Sequence, residues 1–227
     1  MPVPVDAVLL DAFGTLLHLD DPVPRLAALL EDEGHPHPPG RVAPALAREI
    51  AYYRRNLQRG HDAASLATLR LECAGVLAEG LDDDVPPPRR LAQILVEALR
   101  FTLAPDALPA LDALGRARIP LAVVSNWDSG LREVLAALGV ADRFAAICAS
   151  ASVGAAKPDP AIFLHALEIL GVPPARALHC GDSPGADCEG ARRAGLRAVL
   201  IDRAGIADAG PCRRIRSLVE LVGWAVP

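Results

Sequence analysis

Apolar positions along the chain fall into two textures. Residues 5–10, Val-Asp-Ala-Val-Leu-Leu, are nearly continuous in apolar and β-branched side chains and close on Asp11. A run of that length suits a strand buried on both faces of a parallel sheet. After Gly14-Thr15, residues 16–22 read as a polar-ended loop. Residues 23–33, 44–58, 64–79 and 88–100 then carry helical patterns with no strand pattern among them. The third is clearest, with Leu66, Leu69, Cys73, Val76 and Leu77 on one face. Breaks fall at 35–40, 59–62 and 82–88, each rich in turn-forming or helix-stopping residues.

From Pro105 onward the texture changes. Strand-like runs at 119–124, 144–148, 177–180 and 196–201 alternate with helical stretches at 107–117, 130–138, 160–170 and 186–194, and 218–222 reads as a closing turn of helix. Such alternation predicts βαβ units around a parallel sheet. The expected fold is therefore α/β. Residues 1–19 and 101–227 form a doubly wound parallel-sheet core, and residues 20–100 form an inserted all-helical cap.

Composition narrows the functional classes. The chain has 227 residues, 52% apolar and 22% charged, with a net charge of -5, as expected of an ordinary globular protein. It has no Lys/Arg block to mark a nucleic-acid surface. No apolar run approaches the ~20 residues that span a bilayer. Asp6 and Asp11 interrupt any basic-then-apolar leader, so the expected compartment is the cytoplasm. The five cysteines are scattered with no C-x-x-C pair, which predicts reduced thiols. His179, Cys180 and Cys188 match no standard zinc spacing.

The chemistry-bearing residues sit at predicted strand ends, where open α/β sheets bind ligands. Asp11 ends the first strand, either as a turn cap or as a working carboxylate. Ser125-Asn126 ends the strand at 119–124, where a hydroxyl and backbone N–H groups either hold an anion or make a plain turn. In Lys157-Pro158-Asp159-Pro160, Asp159 and Pro160 are a ready N-cap and first helical residue. Lys157 is either an exposed surface residue or a positive charge fixed near a phosphate. Asp182 and Asp187 share one Gly/Pro-containing loop; hard oxygen ligands so placed suit Mg²⁺, and bare carboxylates packed together repel unless a cation joins them. The chain contains no P-loop, G-x-G-x-x-G, H-E-x-x-H or G-x-S-x-G motif.

Taken together, Asp11-Ala12-Phe13-Gly14-Thr15-Leu16, Val124-Ser125-Asn126, Lys157-Pro158-Asp159-Pro160 and Gly181-Asp182-Ser183 followed by Asp187 occur in the order and spacing of the four motifs of the haloacid dehalogenase-like hydrolases. The chain resembles the helical-cap (C1-type) subgroup over nearly its whole length. The resemblance implies a Rossmann-like core in which Asp11 attacks phosphorus and forms an aspartyl-phosphate that water then hydrolyses. It implies Mg²⁺ held by Asp11, the Phe13 carbonyl and Asp182, with Asp187 as a ligand or support. Ser125 and Lys157 would bind the transferring phosphoryl group, with Gly14, Thr15, Asn126 and Arg48 as further substrate contacts. The expected partner is a small phosphorylated molecule, with neither nucleic acid nor membrane, and the expected assembly a monomer or homodimer.

One departure stands out. Phosphatases of this superfamily usually carry a second aspartate two residues after the nucleophile to protonate the leaving group, and here that position is Phe13. General acid catalysis contributes ~10²–10⁴-fold, so an unactivated alkyl phosphate should be a poor substrate. His18 is a possible donor by proximity or a solvent-facing loop residue. An aromatic residue at the Phe13 position also resembles the metal-free 2-haloacid dehalogenases, which use a cap arginine to which Arg48 compares. Their fourth motif lacks the pair formed here by Asp182 and Asp187. A third reading is a weakly active or non-catalytic relative that binds a phosphorylated ligand. Arg48, Tyr52, Tyr53, Arg54 and Arg55 are candidates for substrate selection, and helical spacing lets at most two of Tyr52–Arg55 face the core.

Overall fold

The computed structural model describes residues 5–82, 84–205, 210 and 212–225. Asp83, in one predicted break, lies outside them, as do the outermost residues of the predicted core. The chain begins with β1 (Ala7–Leu10) and β2 (Leu17–Leu19), followed by helices α1 (Pro22–Asp32), α2 (Pro39–Asn56), α3 (Ala63–Gly80) and α4 (Pro88–Ala98). It continues through β3 (Phe101–Leu103), α5 (Ala107–Arg116), β4 (Leu121–Ser125), α6 (Leu131–Ala137), β5 (Ala146–Ala149), α7 (Ser150–Val153) and α8 (Pro160–Leu170). Then come β6 (Ala177–Gly181), a π-helical turn (Pro184–Glu189), α9 (Gly190–Arg193), β7 (Arg197–Ile201), β8 (Arg213–Ile215) and α10 (Leu218–Ala225). Two compact units result, Met1–His18 with Leu103–Pro227, and Leu19–Thr102.

In the first unit, six parallel strands lie in the order β5-β4-β1-β6-β7-β8. β1 is central because it is apolar on both faces, and all four of its residues are buried. Val8 and Leu10 pack on one face with Leu121, Val123, Leu178 and Leu111. Ala7 and Leu9 pack on the other with Ala122, Val124, Ile162 and Phe163. The period-two alternation thus feeds two cores, which is why the run reads as continuously apolar. The sheet order changes direction at β1, so Asp11 emerges between β4 and β6, at the crevice where such sheets place ligands.

In the helical unit, α1, α2, α3 and α4 enclose Leu26, Leu30, Val42, Leu46, Leu69, Cys73, Leu77, Leu91 and Ile94. α3 opens with a capping box in which Asp62 and Ser65 satisfy each other's backbone N–H, and its predicted face is the buried one, with Val76 half-buried. α2 starts at Pro39 rather than near Pro44, leaving Pro44 inside the helix. Burial of Val42 explains the extra turn, since the helix must begin earlier to bring it into the core.

The structure corrects several expectations. Residues 17–19, read as loop, form β2 and pair with β3, so His18 lies in a strand. β8 escapes detection because Arg213-Arg214-Ile215 is a short, charged edge strand. The helix expected at 186–194 starts at Pro184 as a π-helical turn. Cys188 and Cys212 form a disulfide, their Cα atoms 6.1 Å apart, contrary to the expectation of reduced thiols, whereas Cys73, Cys148 and Cys180 are buried thiols as expected. Among the described residues, no helix is long and apolar enough to cross a membrane.

Candidate active site

Four strand ends of the first unit bring the predicted motifs together. Asp11 follows β1 and is 5% exposed. Ser125, the last residue of β4, donates its hydroxyl to Asp11 Oδ1 at 2.9 Å. Lys157 precedes α8 and is 6% exposed. Its Nζ donates to Asp11 Oδ1 at 2.5 Å and to Asp187 Oδ1 at 2.6 Å. The alternative of an exposed lysine is therefore excluded, and the ammonium bridges Asp11 and Asp187.

Lys157 is held from both sides of its peptide. Asn126 Nδ2 donates to the Lys157 carbonyl at 2.9 Å, and the Lys157 N–H donates to Asn126 Oδ1 at 2.7 Å. The Asn126 amide thus locks the lysine loop to the end of β4. As expected, Asp159 caps α8 by accepting from the Ala161 N–H at 2.9 Å, and Pro160 occupies the first turn.

Asp187 lies inside the π-helical turn, whose extra residue re-aims the side chain toward the strand ends. Ser183 is the cap, its hydroxyl accepting from the Ala186 N–H at 3.2 Å. The Asp187 carboxylate accepts from the Ser183 N–H at 2.9 Å and pairs with His179 Nε2 at 2.9 Å. A carboxylate only accepts, so the shared proton is assigned to Nε2. His179 is wholly buried and packs edge-on against Phe163, ring centroids 5.0 Å apart. Its Nδ1 has no partner among the described residues.

Two glycines make the close approaches possible. A Cβ on Gly181 would lie 2.1 Å from Asp187 Cγ. One on Gly14 would lie 2.0 Å from Asp182 Oδ2, and Gly14 adopts φ +84°, a conformation costly for any other residue. Carboxylate oxygens of Asp11, Asp182 and Asp187 lie within 4.8 Å of one another, a donor set that suits a hard divalent cation.

The electrostatics follow from burial and these contacts. Burial outweighs the Lys157 charge at Asp11 and raises its pKa. Burial acts the same way on Asp187, but Lys157 and His179 outweigh it and hold the group below the usual carboxylate range. For Lys157, burial is outweighed by the two carboxylates, which keep it firmly protonated. Burial, followed by the Asp11 and Asp187 charges, pushes Asp182 up to about 6. Asp182 itself remains exposed, so solvent screens that shift and it carries no stability increment.

The remaining predicted residues are placed as follows. Phe13 is 43% exposed and meets Trp127 edge-on with centroids 6.5 Å apart. Thr15 is buried, and its hydroxyl has no partner among the described residues. Arg48 belongs to α2 of the helical unit, where its guanidinium lies 3.7 Å from Glu79. Sequence reasoning missed Trp127, which directly follows Ser125-Asn126, and weighed His179 only as a zinc ligand. It also missed Arg203 and Asp106, which no local motif signals.

The parallel α/β core thus gathers a lysine-bridged carboxylate cluster at its strand ends. Residues 5–195 match the family model of the haloacid dehalogenase-like hydrolases, and the chain belongs to that family. It is a hydrolase. It is 36% identical to the phosphoserine phosphatase of Thermus thermophilus, over 94% of this chain and 96% of that one. Among solved structures it resembles a HAD phosphatase from Thermococcus onnurineus, with 27% identity, 95% of each chain covered and a TM-score of 0.67. It also resembles a 2-haloacid dehalogenase from Pseudomonas syringae, with 26% identity, 96% of each chain covered and a TM-score of 0.66.

Proposed function

We propose that the chain is a Mg²⁺-dependent phosphatase acting on a small phosphate ester, with Asp11 as nucleophile. The observation that carries this reading is Lys157 bridging Asp11 and Asp187 in a cluster that also contains Asp182. The phosphatase names of the Thermus and Thermococcus relatives support it. Three hard oxygen donors and a glycine that leaves room beside Asp182 fit Mg²⁺. Asp11, the Phe13 carbonyl and Asp182 would hold the ion, with Asp187 as a further ligand or a support. When bound, it would neutralise charge on the phosphoryl oxygens.

Asp11 attacks phosphorus, the bond to the leaving-group oxygen breaks, and an aspartyl-phosphate forms. Water then releases inorganic phosphate and restores the carboxylate. In the resting site Ser125 and Lys157 both donate to Asp11 Oδ1. During transfer the same two donors bind the phosphoryl oxygens, and Gly14 and Thr15 complete the turn beside them. Asn126 acts by holding the Lys157 loop. Arg48, on α2, is the candidate residue for substrate selection.

Phe13 offers no proton, so the leaving group must depart as an anion. The favoured substrates are phosphate esters with acidic leaving groups. Hydrolysis of p-nitrophenyl phosphate with Mg²⁺ and with EDTA tests the reading. Turnover that needs Mg²⁺ supports it; metal-independent turnover or none contradicts it. Phe13 and the Pseudomonas structure favour one alternative, a 2-haloacid dehalogenase. Metal-free turnover of 2-chloropropionate would establish that reading instead. The anionic pair Asp182 and Asp187 argues against it, since without a metal these groups repel a carboxylate substrate.

A further inference from the structure

We infer that Arg203 is a positioning residue that clamps the turn after Asp11 and so sets the Phe13 carbonyl for cation binding. The inference rests on the Mg²⁺-dependent reading above.

Arg203 lies two residues beyond β7, and its guanidinium is divided between two elements. Nη1 donates to the Gly14 carbonyl at 2.9 Å and Nη2 to the Thr15 carbonyl at 2.9 Å. On its other edge, Nη2 and Nε engage Asp106 at 2.7 and 3.4 Å. Asp106 sits at the start of α5 and also accepts from the Leu218 N–H at 2.9 Å, at the start of α10. The ion pair is part-buried, with side chains 27% and 15% exposed. Burial of Asp106 is outweighed by the Arg203 and Leu218 hydrogen bonds, so its carboxylate stays ionised.

The consequence for the turn is geometric. The Gly14 N–H donates to the Leu17 carbonyl at 2.8 Å, and the Thr15 N–H to the Ala12 carbonyl at 3.3 Å. With the Gly14 carbonyl on Arg203, both peptide planes that flank Gly14 are tied. A trans peptide points its carbonyl opposite to its N–H, so fixing the Gly14 N–H fixes the Phe13 carbonyl. Gly14 has φ +84° and no side chain to restrain it, so without the clamp the turn keeps only its backbone bonds from the Gly14, Thr15, Leu16 and Leu17 N–H groups, and the Gly14 and Thr15 carbonyls lose their shared anchor. A lysine can substitute only in part, because one ammonium lacks the planar fork that serves two carbonyls and a carboxylate together.

The test is calorimetric titration of Mg²⁺ into the full-length wild type and into Arg203→Met, Arg203→Lys and Asp106→Asn, with p-nitrophenyl phosphate kinetics alongside. Loss of a group that orients a ligand costs roughly 10–100-fold in metal affinity or activity. Arg203→Met is expected to weaken Mg²⁺ binding by about that factor and to lower kcat more than it raises KM. Arg203→Lys and Asp106→Asn are expected to shift Mg²⁺ affinity in the same direction by less. If Arg203→Met does not fold, those two milder variants decide. Folded variants with wild-type Mg²⁺ affinity and only a lower melting temperature would overturn the clamp and leave the phosphatase reading standing. A wild type that binds no Mg²⁺ would overturn both.

Discussion

Lys157 Nζ stands 2.5 Å from Asp11 Oδ1, a buried ion pair that closes between residues 146 positions apart. The same ammonium reaches Asp187 at 2.6 Å, so one cation balances two buried carboxylates. The arrangement suits phosphoryl transfer, in which positioning and charge neutralisation matter more than elaborate covalent chemistry.

Removing that cation should be costly. Breaking one side of a buried ion pair costs about 3–5 kcal/mol because the partner charge is left uncompensated. Lys157→Met is predicted to lose about that much stability near neutral pH in chemical denaturation, together with its activity. The deficit should shrink as pH falls, because the orphaned Asp11 and Asp187 can then take up protons. A deficit that is small or independent of pH would contradict this account.

Gly181→Ala places a Cβ where the Asp187 carboxylate now lies. Asp187 must move and lose its bonds to Lys157, His179 and the Ser183 N–H. Misplacement of this order costs about 10²-fold in rate. The variant should fold, lose activity to that extent and show a reduced Mg²⁺-dependent rise in melting temperature. Unaltered kinetics would contradict the assignment of Asp187.

Phe13→Asp puts a carboxylic acid at the position where related phosphatases keep their proton donor. Hydrolysis of alkyl phosphates should rise, up to about 10²-fold, with little change for p-nitrophenyl phosphate, whose leaving group needs no proton. Equal effects on both substrates would show that leaving-group protonation is not what Phe13 removes.

Asp182, with its pKa pushed up to about 6, sets a pH dependence. Its folded-state pKa lies above the usual carboxylate value, so the exposed carboxyl takes up a proton as pH falls through about 6. Cation binding requires the carboxylate, so Mg²⁺ affinity should weaken as pH falls below about 6. The Mg²⁺-induced shift in melting temperature should be larger at pH 7.5 than at pH 5, and the reverse order would contradict the ligand assignment. Asp187, held low by Lys157 and His179, stays ionised across this range and adds no titration to it.

Much of the core and the candidate site could be read from sequence because it is local. β1 is marked by four consecutive apolar side chains with Asp11 directly after them, and Asp182 and Asp187 lie five positions apart after β6. Lys157 was ambiguous, since lysine is ordinarily exposed and only tertiary packing shows that it is buried between two carboxylates. Arg203 was invisible because its contact with Gly14 spans 189 positions and uses a backbone carbonyl, which leaves no residue-type signature. The Cys188–Cys212 pair escaped for a similar reason, since spacing alone did not indicate that β7 and β8 would adjoin.

Trapping the covalent intermediate tests the central claim most directly. The enzyme is mixed with excess p-nitrophenyl phosphate and Mg²⁺, quenched in acid during turnover, and the peptide bearing residue 11 is analysed by mass spectrometry. The account predicts one added phosphoryl group on Asp11, absent with EDTA and absent in Asp11→Asn, which should also be inactive. Full turnover by Asp11→Asn, or turnover with the phosphoryl group on another residue, would contradict it.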